Sequence, residues 1–132
     1  MDTKSIHNDF DFCFCCGFPR TRRLDRKLEA AHLCKQSMGM KRPDDRRAVV
    51  LLCAMCHVRQ ENPTPEPVMV SGQMLPPITG GNMVWLKRQF DPQFFDLTYI
   101  DELFGTRNMG KIAPPDPLFA SLAKVEMRKG RQ

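Results

Sequence analysis

The sequence predicts a small α+β protein in which a cysteine-rich N-terminal module is followed by a helical C-terminal arm. Three observations favour this fold class. All six cysteines lie in the first half of the chain, five prolines occur within residues 63–77, and the remainder carries repeated helix-start signals. Prolines at this density do not continue a helix or a central strand. We therefore expect a module over residues 1–62, a proline- and glycine-rich linker over 63–81, and a helical arm over 82–132.

The arm is predicted to be helical because its start signals recur. Asn82 is a candidate N-cap for the first helix, and an aspartate followed by proline opens a second segment at Asp91 and a third at Asp116. The last helix is amphipathic and ends in basic residues, which suits the negative end of a helix dipole. We expect the aromatic side chains of the arm to pack in a core.

Three short segments define the module. Residues 28–33 (LEAAHL) have a helix-forming composition, whereas residues 49–52 (VVLL) are β-branched and apolar, as in a buried strand. Residues 54–61 (AMCHVRQE) are predicted to start a helix that Pro63 stops.

The strongest chemical signal is a pair of C-x-x-C motifs. Cys13 and Cys16 form one and Cys53 and Cys56 form the other, with 36 residues between them. Each motif presents two thiolates to one ion, and four thiolates close the tetrahedron of a structural zinc site. A module of this size has little core of its own, so Zn²⁺ could supply much of its folding free energy. Four buried cysteines without a metal are the alternative.

The predicted compartment bears on the chemistry of the cysteines. The chain has neither a secretory pattern at its start nor a run of about 20 apolar residues, so we expect a cytoplasmic protein with reduced thiols. Cys15 could replace a neighbour as a zinc ligand, and Cys34 is interpreted as an ordinary thiol. A redox protein using C-x-x-C is a further alternative, which two motifs at zinc spacing disfavour.

Two histidines are candidates for chemistry beside the zinc site. His32 lies between the two motifs, and His57 directly follows Cys56. A module closed by zinc folds the chain back and could bring the two imidazoles together. Neutral imidazole accepts a proton from water near neutral pH and also ligates divalent metals. A structural or capping role is the alternative for each ring.

The positive charge is concentrated rather than spread. The chain has a net charge of +5, yet residues 20–47 hold ten basic against four acidic residues, a net charge of +6, and residues 124–131 add +3. A localised basic block is typical of a protein that binds a phosphate backbone. Arginine outnumbers lysine there, which favours phosphate because guanidinium binds phosphate oxygens in pairs. A solvated surface that only aids solubility is the alternative.

Taken in order, these motifs resemble those of a known family. The order is C-x-x-C-G from Cys13, Glu29-Ala-Ala-His32, a glycine-containing loop, an apolar strand, and C-x-x-C-H ending at His57. It resembles the HNH (ββα-metal) endonucleases that carry a four-cysteine zinc site, and more specifically a phage-associated subgroup. The resemblance covers residues 13–61. It implies two strands and a helix around one divalent ion, with LEAAHL as the first strand despite its propensity.

The resemblance also implies catalytic roles. His32 would be the general base that activates water against a phosphodiester of DNA, and His57 would ligate or neighbour a catalytic Mg²⁺ or other divalent ion. Asp44 and Asp45 are the candidate carboxylate ligands in the loop, with Asp45 counted as catalytic, and Glu29 is a second choice. The residues expected to grip the DNA backbone are Arg20, Arg22, Arg23, Arg26, Lys41, Arg42, Arg46 and Arg47.

Departures from the family pattern bear on activity. Ala31 and Ala48 stand where relatives often carry metal-holding groups, and Glu61 stands where many carry another histidine. The sequence therefore predicts an HNH endonuclease or nickase, and the alternative is a catalytically inactive zinc module that binds DNA or a nucleic-acid-processing protein. The arm would supply the surface for such a protein, and no membrane partner is expected. The subgroup implies a phage-encoded protein that acts in the host cytoplasm.

Overall fold

The computed structural model describes residues 1–34, 42–62, 66–70, 72–106, 112 and 114 of the chain. Within them lie four helices and two antiparallel sheets of two strands each, which confirms the predicted α+β class. None of these helices has the length and apolar composition that a membrane crossing requires. Short 3-10 turns cover Thr3–Ser5, Leu24–Arg26, Arg46–Ala48 and Pro92–Phe94. The strands are β1 (Leu28–His32), β2 (Val49–Cys53), β3 (Val68–Val70) and β4 (Gln73–Leu75), and the helices are α1 (Ile6–Asp9), α2 (Ala54–Glu61), α3 (Gly80–Phe90) and α4 (Leu97–Thr106).

The first sheet and α2 form the centre of the module. β1 and β2 pair antiparallel, with Leu28 opposite Cys53 and His32 opposite Val49. β2 is buried along its whole length, as its β-branched and apolar residues predict. β1 is a strand although its composition favours a helix, because pairing with β2 and the burial of Leu28 and Ala31 outweigh a weak local propensity. α2 follows β2 at once, so the chain runs strand, strand, helix.

A second hairpin occupies part of the predicted linker. β3 and β4 pair antiparallel, and between them Gly72 has a φ of 77°. This left-handed backbone conformation favours glycine, because a Cβ would be strained there. Pro67 and Pro76 flank the hairpin rather than interrupt it, so these prolines limit the strands without preventing them.

The helix starts in the arm differ in detail from the predicted ones. α3 is capped by Thr79, whose Oγ1 accepts a hydrogen bond from the backbone N–H of Asn82 at 3.2 Å. Asn82 therefore lies inside the helix, and its side-chain amide donates to the carbonyl of Pro77 at 2.7 Å. The start predicted at Asp91 is a 3-10 turn, and α4 begins only at Leu97. The third predicted helix lies outside the described residues.

The first helix of the arm packs against the module instead of standing apart from it. Phe12 precedes the first C-x-x-C motif and Phe14 lies within it, and their ring centroids are 5.5 and 5.1 Å from that of Phe90 on α3. Phe10 lies 4.9 Å from Phe14. These rings share one hydrophobic core with β2, so the prediction that Phe90 packs internally is confirmed.

A buried ion network fixes the contact between α3 and the module. Asp91 accepts hydrogen bonds from Arg46 at 3.0 and 3.1 Å and from Lys87 Nζ at 2.6 Å. Arg46 also donates to Asp9 at 2.6 Å, and Lys87 donates to the carbonyl of Arg46 at 2.6 Å. Arg46, Lys87 and Asp91 are almost fully buried, a position that charged groups occupy only with partners. The network therefore ties α1, the turn Arg46–Ala48 and the end of α3 together.

Candidate metal centre and its histidines

Cys13, Cys16, Cys53 and Cys56 lie with their sulfur atoms all within 4.8 Å of one another, and we call them the cysteine cluster. All four are buried, and the Sγ atoms of Cys16 and Cys53 are 3.7 Å apart. That separation is far longer than the roughly 2.0 Å of a disulfide. It matches the edge of about 3.8 Å in a tetrahedron built from Zn–S bonds of about 2.3 Å. The cluster therefore has the donor set and the spacing to hold a metal ion such as zinc.

Two backbone turns build the cluster. In the first motif, the N–H of Gly17 donates to the carbonyl of Cys13 at 2.8 Å, and Gly17 has a φ of 79°, which favours glycine. The N–H of Phe14 donates to the carbonyl of Leu51 at 2.8 Å and attaches this turn to β2. The second motif spans the junction of β2 and α2, so strand and helix position its sulfurs without a loop.

Two arginines lie where they offset the charge of the cluster. Four thiolates around one Zn²⁺ carry a net charge of about −2, since each thiolate contributes −1. Arg26 Nη2 is 3.3 Å from Cys16 Sγ, and Arg59 Nη1 is 3.9 Å from Cys56 Sγ. Burial raises the pKa of the Cys13 thiol. By contrast, the hydrogen bond that Cys16 receives from Cys13 lowers the pKa of Cys16 to about 6. Burial opposes the ionisation of neighbouring thiols unless positive charge is close, which the two guanidinium groups supply.

The other two cysteines stand outside the cluster. Cys15 is buried, and its Sγ lies 4.0 Å from Nη1 of Arg59. The cluster is formed by Cys13 and not by Cys15, so the geometry does not support Cys15 as a replacement ligand. Cys34 lies with its Sγ 3.8 Å from the carbonyl of Leu103 on α4, far along the chain from the cluster.

His32 ends β1 and is held by a backbone carbonyl. Its Nε2 lies 2.9 Å from the carbonyl oxygen of Pro43. Because a carbonyl only accepts hydrogen bonds, this nitrogen carries the proton, and a neutral ring then has its lone pair on Nδ1. The backbone carbonyl of His32 accepts from the side-chain amide of Gln60 on α2 at 2.7 Å. These two bonds fix both the ring and the end of β1 beside the helix.

His57 lies on α2 between two carboxylates. Its Nδ1 is 2.9 Å from Oε1 of Glu29 on β1, and its Nε2 is 3.8 Å from Oε1 of Glu61 one turn along α2. Donation from Nδ1 to Glu29 leaves the lone pair of a neutral ring on Nε2, on the side of Glu61. Glu29 is the second-choice carboxylate in the sequence, and Glu61 departs from the family pattern, yet both lie beside His57. The spacing of four residues between His57 and Glu61 on a helix is the signal that pairs them.

The structure ties both histidines to the contact between β1 and α2, although to different partners. His57 joins α2 to Glu29 near the start of β1, and Gln60 joins the same helix to the end of β1 at His32. The two hydrogen-bonding residues of α2, His57 and Gln60, are about one helical turn apart. The positions of the two imidazoles are therefore set by one rigid contact between strand and helix.

The loop aspartates are engaged elsewhere. Asp44 Oδ1 accepts from the backbone N–H of Thr3 at 2.9 Å, and Asp45 pairs with Arg47 at 2.8 Å. The Thr3 N–H lowers the pKa of Asp44, and the hydrogen bond from Arg47 lowers the pKa of Asp45. Within the described residues, the cysteine cluster is the only group of three or more side chains arranged to hold a metal. Among the described residues, Asp44 and Asp45 thus do not form with His57 the metal site that the resemblance implies.

The predicted basic block divides into buried and exposed members. Arg46, which is predicted to contact nucleic acid, is 2% exposed and pairs with two aspartates, so its charge lies in the core. Arg26 is likewise buried, beside the cysteine cluster. Arg47 stacks 3.8 Å over the ring of Tyr99 and pairs with two further aspartates. The exposed members are Arg20, Arg22, Arg23 and Arg42, and Lys41 lies outside the described residues.

The chain was compared with models of known protein families, with curated proteins and with solved structures, and none of the three comparisons found a match. The function is therefore argued from the chemistry of the site.

Proposed function

We propose that this chain is a metal-dependent DNA endonuclease or nickase of the HNH type, which hydrolyses a phosphodiester with a histidine general base. One observation carries the proposal. A strand–strand–helix unit, closed by the cysteine cluster, has His32 at the end of β1 and His57 on α2. The order of the elements and the places of the two histidines are those that the resemblance to HNH enzymes implies.

A backbone hydrogen bond holds His32 in one tautomer. Because Nε2 donates its proton to the carbonyl of Pro43, a neutral ring has its lone pair on Nδ1, the atom that would take a proton from the attacking water. The same carbonyl stabilises the imidazolium that results, because it accepts more strongly from a charged donor. Gln60 keeps the end of β1 in place while the ring changes charge.

His57 and Glu61 are the residues that would hold a catalytic divalent ion. Mg²⁺ commonly binds through one or two carboxylates and keeps several waters, so Glu61 would be a sufficient carboxylate contribution, and an imidazole such as His57 suits Ni²⁺ and other transition metals better. Glu29 would orient the ring of His57, as carboxylates behind metal-ligating histidines do. When bound, the ion polarises the phosphate and stabilises the departing oxygen.

Exposed cations support DNA as the substrate. Arg22, Arg23, Lys27 and Arg42 are exposed, and all lie within the basic block that surrounds β1. Each phosphate contact by such a residue releases a condensed counterion, so the DNA affinity should fall steeply as salt rises. A flat response between low and high salt would contradict this part of the proposal.

The test compares His32→Ala with His7→Ala. His7 lies on α1, outside the strand–strand–helix unit, so the control makes the same substitution at another, partly exposed histidine. Each protein would be incubated with supercoiled plasmid and Mg²⁺, Mn²⁺ or Ni²⁺. We expect the wild type and His7→Ala to nick the plasmid and His32→Ala to be slower by about 10²-fold or more. Equal nicking by both variants would rule out His32 as the base.

A second candidate is a catalytically inactive zinc module that binds DNA. Ala31 and Ala48 favour it, because they are 0% and 1% exposed and offer no ligand atom where relatives often carry metal-holding groups. Binding of DNA without cleavage in every metal would support this candidate over the nuclease. Metal analysis of the purified protein comes first, since clearly less than one zinc per chain would contradict both candidates.

A further inference from the structure

The 3-10 turn Leu24–Arg26 presents an apolar side chain to solvent among cations. Leu24 is 82% exposed, more than any other large apolar side chain in the part of the chain that the structure describes. A single exposed leucine is ordinary on a protein surface. This one lies within RTRRLDRK, residues 20–27, which hold five basic residues against one acidic residue. An apolar tip inside a cationic segment is the feature that needs an explanation.

The turn is firmly anchored beneath this tip. Arg26 donates to Cys16 Sγ at 3.3 Å, and its guanidinium lies 3.7 Å from the ring centroid of Phe18. The carbonyl of Lys27 accepts from the N–H of Ala54 at 2.7 Å, which attaches the turn to the start of α2. The cysteine cluster therefore holds the turn at its base while Leu24 extends outward.

A groove of about 500 Å³ runs between the turn and α2. Its apolar lining is Ala54, Met55 and Val58, of which Val58 is 59% exposed. The other residues that line it are charged. Of the three arginines that line it, Arg23 pairs with Asp25 at 2.7 Å, and Arg26 and Arg59 face the cysteine cluster. The charge that would attract an anionic occupant with apolar faces therefore comes from the exposed cations beside the groove. The residues that line the groove are Arg23, Asp25, Arg26, Ala54, Met55, Val58 and Arg59.

We propose that the turn and this groove receive duplex DNA, with Leu24 entering a base step as a wedge that partly unstacks it. Proteins that bend DNA from the minor groove insert apolar side chains between base pairs while neighbouring cations contact the phosphates. Arg22, before Leu24 in the chain, and Lys27, after it, are exposed and could make such contacts, whereas Arg23 is exposed but pairs with Asp25 at 2.7 Å. The wedge rests on the proposed DNA-cleaving function and adds to it the way in which the duplex is deformed.

The test pairs Leu24→Ala with Leu97→Ala. Leu97 is 51% exposed at the start of α4, so the control removes the same atoms from another surface. The probe is a set of duplexes that carry 2-aminopurine at flexible TA and CA steps, where unstacking is easiest. Binding of the wild type should raise the 2-aminopurine fluorescence. Leu24→Ala should abolish the rise and bind about tenfold more weakly, as expected when one leucine is no longer buried.

A second readout separates a wedge from an electrostatic contact. Leu24→Ala should leave the slope of log affinity against log salt concentration unchanged. Arg22→Gln should reduce that slope by about one unit, the amount expected for one lost phosphate contact. Leu24→Ala should melt like the wild type because its side chain is exposed. If the wild type binds and nicks DNA with no change in fluorescence, or if the two leucine variants behave alike, the wedge is wrong and the nuclease stands. If the wild type does not bind DNA, both proposals fail.

Discussion

Asp91→Asn tests whether the buried ion network holds the arm on the module. Asp91 accepts three charged hydrogen bonds from Arg46 and Lys87, and its side chain is 4% exposed. Asparagine keeps the shape and one acceptor oxygen but removes the negative charge, so the buried ammonium of Lys87 loses the carboxylate that neutralises it. Breaking a buried ion pair by removing one partner costs about 3–5 kcal/mol. For a chain of this length we expect the melting temperature to fall by about 10–20 °C.

The free energy of unfolding lost in Asp91→Asn should have an upper limit that depends on pH. Without the negative charge of Asp91, Lys87 can lose its proton, and burial already lowers its pKa. From an unfolded pKa of about 10.4, deprotonation costs about 4.6 kcal/mol at pH 7 and about 1.9 kcal/mol at pH 9. The destabilisation by Asp91→Asn should therefore shrink as pH rises. Denaturant unfolding at both pH values measures this difference.

Asp9→Asn is the matched control. Asp9 pairs with the same guanidinium, but its side chain is 56% exposed, and an exposed ion pair contributes only about 0–1 kcal/mol. The expected order is a large loss for Asp91→Asn and a small one for Asp9→Asn. Similar losses below about 1 kcal/mol for both variants would refute the reasoning, because a buried carboxylate between two cations cannot be that weakly coupled.

Three further predictions concern the cluster and the loop. Removal of the metal with a chelator should unfold the module, since structural zinc supplies about 10 kcal/mol or more of folding free energy in small modules; unchanged circular dichroism after metal loss would contradict this. Arg26→Gln should weaken zinc retention by about 10–100-fold in a competition assay with a chelating dye, whereas Arg23→Gln, on the exposed part of the same turn, should not. Arg47 lowers the pKa of Asp45 in the folded state, so this carboxylate stabilises the fold above its unfolded pKa of about 3.9 and the contribution is lost as pH falls through the folded pKa. Asp45→Asn should therefore flatten the acid side of the stability profile measured by thermal melting.

The features that the sequence predicts best are those set by short-range spacing. A C-x-x-C motif places two sulfurs on one turn whatever surrounds it, so the cysteine cluster follows from four positions. The all-apolar run of β2 likewise predicts a buried strand. β1 is different, because its residues favour a helix and only the pairing of Leu28 to His32 with β2 makes it a strand. The resemblance to a family predicted this strand where propensity did not.

The features that the sequence does not predict depend on partners far along the chain. Arg46 belongs to a basic block in the sequence, yet its carboxylate partner Asp91 lies 45 residues away, so nothing local indicates that it is buried. Asn82 has the composition of an N-cap, but a hydrogen bond to Pro77 places it inside α3 and gives the cap to Thr79. The sequence identifies Arg46 and Asn82 as polar, but only contacts with residues elsewhere in the chain determine which partners they bind and whether they are buried.

The arginines therefore fall into two groups with opposite experimental signatures. Arg26 and Arg46 are buried beside thiol and carboxyl groups, where removal leaves uncompensated charge in a low dielectric. Arg22 and Arg42 are exposed within the same basic block. Neutralising an exposed arginine should reduce the salt dependence of DNA binding and leave the melting temperature almost unchanged. Neutralising a buried arginine should lower the melting temperature, but the protein that remains folded should bind DNA with an unchanged salt dependence. Among the described residues, the exposed positive charge of the basic block is thus smaller than the sequence implies, because Arg26 and Arg46 are buried, and Arg20, Arg22, Arg23 and Lys27 lie close in sequence to Leu24.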